Sequence, residues 1–358
     1  MESADGQRGR DGSGSRWKGS PLDVIMSQIR RKRTASDRKP LGRFLSWTSD
    51  RPGIPEDGES EMKEDRGPNS GFAASAESER DVGWGRVCVF LKRLGKKADN
   101  RSLSLAHCDL TATDLLELAT LLQFLPQVEE MDISWNELIG GSLTALTSHL
   151  QHVGEVRTLR LCSCRLNGED VVALGEALSY IPALEVLDLS WNSGVGGGGL
   201  QGLLGNLHPS LRELHLVACQ LTAADATVLA AVCRRGCLSS LRALDLSYNS
   251  LVGDNGWCSL FAAGGLGSLE DMDVSLRPST SAPCSAWLPA LLRALPQMPA
   301  LARLAMQRWT ADCQEREQLR YCLKKRSVLL EWDPDLQDTS SACKGNSQES
   351  LEESQPEE

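Results

Sequence analysis

Acidic side chains recur through the middle of this chain at a near-constant spacing. Asp132, Asp188, Asp245 and Asp273, with Arg160 and His215, each follow a leucine or methionine by one residue. Glu130, Glu213 and Asp271 precede the same apolar residue by one. On a strand, the residues flanking an apolar position emerge together on the opposite face. One surface would then carry a column reading Ser104, Asp132, Arg160, Asp188, His215, Asp245, Asp273 and Ala305. Such a surface could steer a basic partner. Equally, neighbouring Asp and Arg could only pair along the ladder, with Arg160 partly neutralising Asp132 and Asp188. Asp245, Asp271 and Asp273 have no base between them, so binding is expected there first.

Catalytic chemistry finds little support. Each of the five histidines lies far in sequence from any serine or cysteine in a nucleophile context. Cys162 and Cys164 are two apart on a strand and face opposite sides, so they cannot share a metal ion. Cys233 and Cys237 lie four apart with no histidine close in sequence. Gly194-x-Gly196-x-x-Gly199 matches the spelling of a dinucleotide loop, but no acidic residue closes a second strand as that motif requires. The expectation is therefore no catalytic residue, no metal, no cofactor and no small-molecule substrate.

Two further groups stand out. Trp135, Trp191 and Tyr248 share one position in alternate segments and would line a rim, either anchoring a partner or wedging between turns. Near the start, Arg30-Arg31-Lys32-Arg33 precedes Ser36 in R-x-R-x-x-S, and Arg43-x-x-Ser46 is a weaker copy. Ser36 and Ser46 are candidate phosphosites, because a phosphate beside a cationic cluster changes its charge by roughly two units. The same run also fits an import signal, a weak acidic-lipid contact, nucleic-acid contact or a plain solvated tail.

The elements that position these residues are visible in the period. Leu103, Met131, Leu159, Leu187, Leu214, Leu244, Met272 and Leu304 open apolar–x–apolar segments at steps of 28, 28, 28, 27, 30, 28 and 32 residues. A period near 28 with L-x-L-x-x-[N/C] is the leucine-rich repeat signature, so about eight repeats of about 28 residues are expected. Each repeat opens with a strand and continues into a helix; Asp114–Leu125 shows helical spacing at Leu115, Leu118, Leu121 and Leu122. Strands stack about 4.8 Å apart and helices about 8–10 Å, so the stack must bend. The fold class is α/β: a curved horseshoe with parallel strands inside and helices outside.

Position six alternates Cys108, Asn136, Cys164, Asn192, Cys219 and Asn249. A buried asparagine can satisfy turn backbone groups, where cysteine acts as a small apolar residue. The cysteine repeats then offer Thr111 with Asp114, Asn167 with Asp170, and Thr222 with Asp225 as helix caps. This alternation resembles the ribonuclease-inhibitor subfamily of leucine-rich repeats. The resemblance implies an intracellular, non-catalytic protein that mediates interactions.

Composition sets the outer bounds. The chain has 358 residues and a net charge of −10, which argues against a wholly nucleic-acid-binding surface. No apolar run is long enough for a membrane span, and the first residues hold no apolar signal core. The 12 cysteines are then expected as free thiols of a reducing compartment, cytoplasmic or also nuclear. Residues 1–82 and 334–358 lack regular apolar spacing and read as tails, the first basic and the second acidic. Residues 83–333 read as the repeat domain, with Val87, Phe90, Leu91 and Leu94 as a capping helix and Leu319 to Trp332 as the opposite cap. The expected function is a protein-interaction scaffold whose concave face takes a basic protein partner; the alternative is a nuclear factor acting through its basic tail.

Overall fold

A computed structural model describes residues 101–333. The expected boundary at 82/83, the capping helix from Val87, and Ser36 and Ser46 all lie outside the described residues. Within them, one parallel sheet runs β1 (Ser102–Ser104), β2 (Glu130–Asp132), β3 (Thr158–Arg160), β4 (Val186–Asp188), β5 (Glu213–His215), β6 (Ala243–Asp245), β7 (Asp271–Asp273), β9 (Arg303–Ala305) and β11 (Leu329–Glu331). A two-residue pair, β8 (Ala282–Pro283) with β10 (Trp309–Thr310), stands apart. Every neighbouring pair of the main sheet keeps the register of the sequence period, from Leu103 opposite Met131 onward. The eight leading apolar residues are each at most 1 % exposed and form one continuous core row.

The helices between strands are α1 (Ala112–Leu121), α2 (Thr144–Thr147), α3 (Gly168–Ala177), α4 (Gly199–Leu204), α5 (Ala223–Arg234), α6 (Gly253–Ala262), α7 (Leu288–Ala294) and α8 (Cys313–Lys324). α1 stops at Leu121, and a 3₁₀ turn carries Leu122–Phe124, so the helix expected to Leu125 tightens in its last turn. All four leucines of its apolar face are buried. Thr111, Asn167 and Thr222 cap α1, α3 and α5 through reciprocal capping boxes with Asp114, Asp170 and Asp225. α2 and α4 are short because their repeats spend residues on glycine turns, at Gly140–Gly141 and Gly196–Gly199.

Alternation of the repeats is a fastening system. The Asn192 carboxamide accepts from the Cys164 and Leu166 N–H groups, both at 3.0 Å, and donates to the Leu161 and Leu189 carbonyls. Asn136 does the same one pair of repeats earlier, and Asn249, one pair later, accepts from the Leu221 N–H and donates to the Leu216 and Leu246 carbonyls. Each asparagine thus binds the cysteine repeat before it. In return, the Cys164 and Cys219 thiols donate to the Ile133 and Leu189 carbonyls of the asparagine repeat before them. Cysteine is here a donor as well as a small apolar side chain.

At the far end, Trp257, Phe261, Trp287 and Trp309 pack ring on ring inside the core. The stretch read as a C-terminal cap is more than a cap. Leu329–Glu331 adds a ninth strand alongside Arg303–Ala305, preceded by its own helix. Its spelling, VLLEWDP, departs from L-x-L-x-x-[N/C].

Candidate functional site

The concave face is the sheet's outer surface, and the register places the expected column on it. Asp132, Arg160, Asp188, His215, Asp245 and Asp273 stand opposite one another strand by strand. Glu130, Glu213 and Asp271 form the neighbouring column. Ala305, which ends the expected column, is fully buried.

The aspartates do two jobs. In each D-x-S segment the Asp Oδ1 accepts the N–H of the serine two residues on, at 2.9–3.0 Å, closing the turn that ends the strand. Strict alternation carried past the strand would turn those serines outward beside the aspartates. Ser134, Ser190, Ser247 and Ser275 are instead buried, since the strand has already ended where they sit. Ser134, Ser190 and Ser275 accept the N–H of Cys162, Val217 and Gln307 in the following repeat. The D-x-S spelling is therefore partly turn chemistry, and only the second carboxylate oxygen is left for a partner.

The acidic end is not bare, contrary to the expectation for Asp245, Asp271 and Asp273. Arg303 donates to Asp271 at 2.7 Å, lies 3.5 Å from Asp273, and holds Glu331 through two bonds. A long side chain in the outer column reaches the central one, which a count made column by column overlooks. Arg303 holds the Glu331 carboxyl below the usual carboxylate range. Arg160, by contrast, forms no ion pair with Asp132 or Asp188 among the described residues, although it lies between them. His215 stands between Asp188 and Asp245, yet its ring meets Glu213, at 3.3 Å.

Asp245 titrates high. Burial pushes its carboxyl up, opposed by the Ser247 hydrogen bonds; Asp273 adds to the rise and His215 opposes it. A carboxyl whose folded pKa exceeds its unfolded value is destabilising while ionised, and that penalty fades as pH falls through the folded value and is gone below the unfolded one. Asp245→Asn keeps an acceptor for the Ser247 N–H and removes the charge. It is expected to raise the melting temperature at neutral pH by about 2–4 °C and to change it little below about pH 3.5. Thermal unfolding at the two pH values checks this; an equal shift at both would assign the gain to something other than charge.

The aromatic rim is built on strained backbone. His107, Trp135, Ser163, Trp191, Ala218 and Tyr248 occupy one position in six successive turns, Arg308 takes it again one turn beyond Leu276, and all seven have φ between +52 and +69°. Bulky side chains rarely adopt this region. Trp135 and Trp191 are nevertheless 46 % and 47 % exposed. The Trp135 ring stacks on His107, 5.3 Å between centroids. Trp191 reaches across the small Ala218 to meet Tyr248 edge-on at 6.1 Å, and the Arg277 guanidinium lies 5.8 Å from its ring. The rings therefore brace each other and still present faces to solvent.

A charge ladder runs along the other rim. Residues two before the first seven leading apolar positions read Arg101, Glu129, Arg157, Glu185, Arg212, Arg242 and Glu270. Neighbours pair along it: Arg101 with Glu129, Arg157 with Glu185 at 2.7 Å, Arg212 with Glu185 at 3.4 Å, and Arg242 with Glu270 at 3.5 Å. Applying the repeat register to every column, not only the strand, would have found it.

The glycine loop offers no phosphate cradle. The Gly197 and Gly198 N–H groups donate to the Asp225 carboxylate, at 2.9 and 3.3 Å. Among the described residues no three His, Cys, Asp or Glu side chains meet as a metal site. Burial pushes the Cys162 and Cys219 thiols up to about 12, the opposite of nucleophilic activation. No helix among the described residues is long and apolar enough to cross a membrane.

Comparison with known proteins agrees with the geometry. A family model described as Leucine Rich repeat matches residues 182–204 and 237–257, the repeats of Asn192 and Asn249. The fold is a leucine-rich repeat solenoid. The solenoid chain is 36 % identical over 152 residues to human NACHT, LRR and PYD domains-containing protein 12, covering 42 % of this chain and 14 % of that protein. It is 28 % identical over 249 residues to mouse ribonuclease inhibitor, covering 67 % of this chain and 53 % of the relative. The pig ribonuclease inhibitor matches at 31 % over 200 residues, 55 % of this chain and 41 % of the relative. The solenoid therefore spans at most about half the length of these relatives, and it is ribonuclease-inhibitor-like in its repeats.

Proposed function

We propose that the solenoid is a non-catalytic scaffold that binds a protein partner on its concave face and aromatic rim. One observation carries this reading. Trp135 and Trp191 sit in left-handed backbone that disfavours bulky side chains, and each leaves nearly half its surface in solvent. The turn imposes the backbone, since Ser163 and Ala218 share it, but it does not require tryptophan. Half-exposed aromatics on a rigid ledge are efficient anchors, because little entropy is lost on binding. The adjoining Glu130, Asp132, Asp188 and Glu213 favour a basic partner by steering. Nucleic acid does not suit this acidic face. Buried free thiols such as Cys164 and Cys219 suit the reducing cytoplasm. The segments FLKRLGKKA, RLCSCRL, VSLRPS and MQRW further resemble leucine-rich repeat-containing protein 31, which supports an interaction role.

The test is affinity capture from cell lysate with wild type, a Trp135→Ser/Trp191→Ser variant and a Glu130→Lys/Glu213→Lys variant, each checked for unchanged circular dichroism. Bound proteins should be depleted about tenfold or more by the rim variant, as expected for two lost anchors. Partners retained by both variants would move the binding site off this face.

A further inference from the structure

The end of the solenoid carries a second surface, between α8 and β11. α8 and β11 enclose a notch of about 500 Å³ lined by Arg320, Leu323, Lys324, Ser327, Val328 and Leu330. Leu323 and Val328 are buried and form an apolar floor. Among the described residues β11 is the last strand and pairs only with β9. The Leu329 N–H donates to Ala302 and the Glu331 carbonyl accepts from Met306, so these two residues face β9. In a parallel ladder the peptide groups of the residue between them, Leu330, point to the open edge. An edge of this kind is a template for another extended segment. Its own Leu329 is 58 % exposed.

The wall of the notch is cationic. Arg320 and Lys324 lie one turn apart on α8, followed by Lys325, and all three are exposed. Among the described residues none of the three has a carboxylate within ion-pair distance. Unpaired edge, apolar floor and cations together suit an acidic segment bearing an apolar side chain. The chain contains one: residues 334–358 carry seven carboxylates against a single lysine, with Leu351 inside ESLEESQPEE.

We propose that residues 349–358 of this chain bind the notch at its own C-terminal edge. Their carboxylates meet Arg320, Lys324 and Lys325, and Leu351 covers Leu323 and Val328. Attachment at Asp333 raises the effective concentration toward the millimolar range, so a weak contact is enough. Occupancy also blocks strand addition by other chains at β11.

Hydrogen exchange of amides 327–332 in the full chain tests the proposal. Changing Glu349, Glu352, Glu353, Glu357 and Glu358 to Gln should speed exchange about tenfold, and about 0.5 M salt should bring wild type to the same rate. Leu351→Asp should also speed it, despite the added carboxylate. Zero-length carbodiimide coupling at low protein concentration should join Lys324 or Lys325 to these glutamates within one molecule. Exchange indifferent to the glutamates overturns the proposal. So do cross-links that form only between molecules, which place a second copy in the notch, and protection that arises only on adding an acidic peptide in trans.

Discussion

Replacing Asp225 by alanine is expected to lower the free energy of unfolding by about 3–4 kcal/mol. The carboxylate is 3 % exposed and accepts from the Thr222 N–H and hydroxyl, at 2.9 and 2.7 Å. It also takes the Gly197 and Gly198 N–H groups of the preceding repeat. One side chain thus caps α5 and fastens two repeats together. Alanine strands these donors, and each buried orphan costs about 1–3 kcal/mol, less whatever water reaches the turn. Asp225→Asn keeps one acceptor oxygen and should lose about half as much. Urea unfolding followed by circular dichroism measures both. Because a solenoid is held by nearest-neighbour interfaces, the alanine variant should also show a smaller m-value, as the stack divides between the fourth and fifth repeats. A loss below about 1 kcal/mol would mean that the two repeats are held by packing alone.

That clamp shows which parts of the molecule were legible in the sequence. Period, register, alternation of Asn with Cys, and the capping boxes could all be read, because each is a local spelling repeated at a constant step. Asp225 could be assigned to its own helix N-terminus for that reason. Its bonds to Gly197 and Gly198 could not, since they join one repeat's cap to another repeat's loop. Arg303 illustrates the same limit on the concave face. Its position in the outer column was plain, but its reach to Asp271, Asp273 and Glu331 depends on side-chain length and on a ninth strand with a weak signal. The buried serines of the D-x-S segments escape simple alternation because the strands are only three residues long and end before them. The column of acids was therefore legible as a place, and its charge was not.

Gly196 and Gly197 separate two explanations of one motif. Gly196→Ala is expected to destabilise by about 3 kcal/mol or more, and Gly197→Ala by only about 1 kcal/mol. A Cβ on Gly196 would stand 2.2 Å from the Gln220 carbonyl oxygen and 2.6 Å from its carbon, both backbone atoms of the next repeat. Backbone cannot rotate aside as a side chain can, so the repeats must part. Gly197 has nothing within 4 Å of that position and only a φ of +75° to sustain. A phosphate-binding loop would give another order: both glycines would matter for ligand and neither for stability, since the loop would be open until phosphate filled it. Here Asp225 already fills it. Chemical denaturation of the two variants decides between them. A larger loss at Gly196 ties the G-x-G-x-x-G spelling to the approach of adjacent repeats. A larger loss at Gly197 would instead locate the constraint in the turn's own conformation.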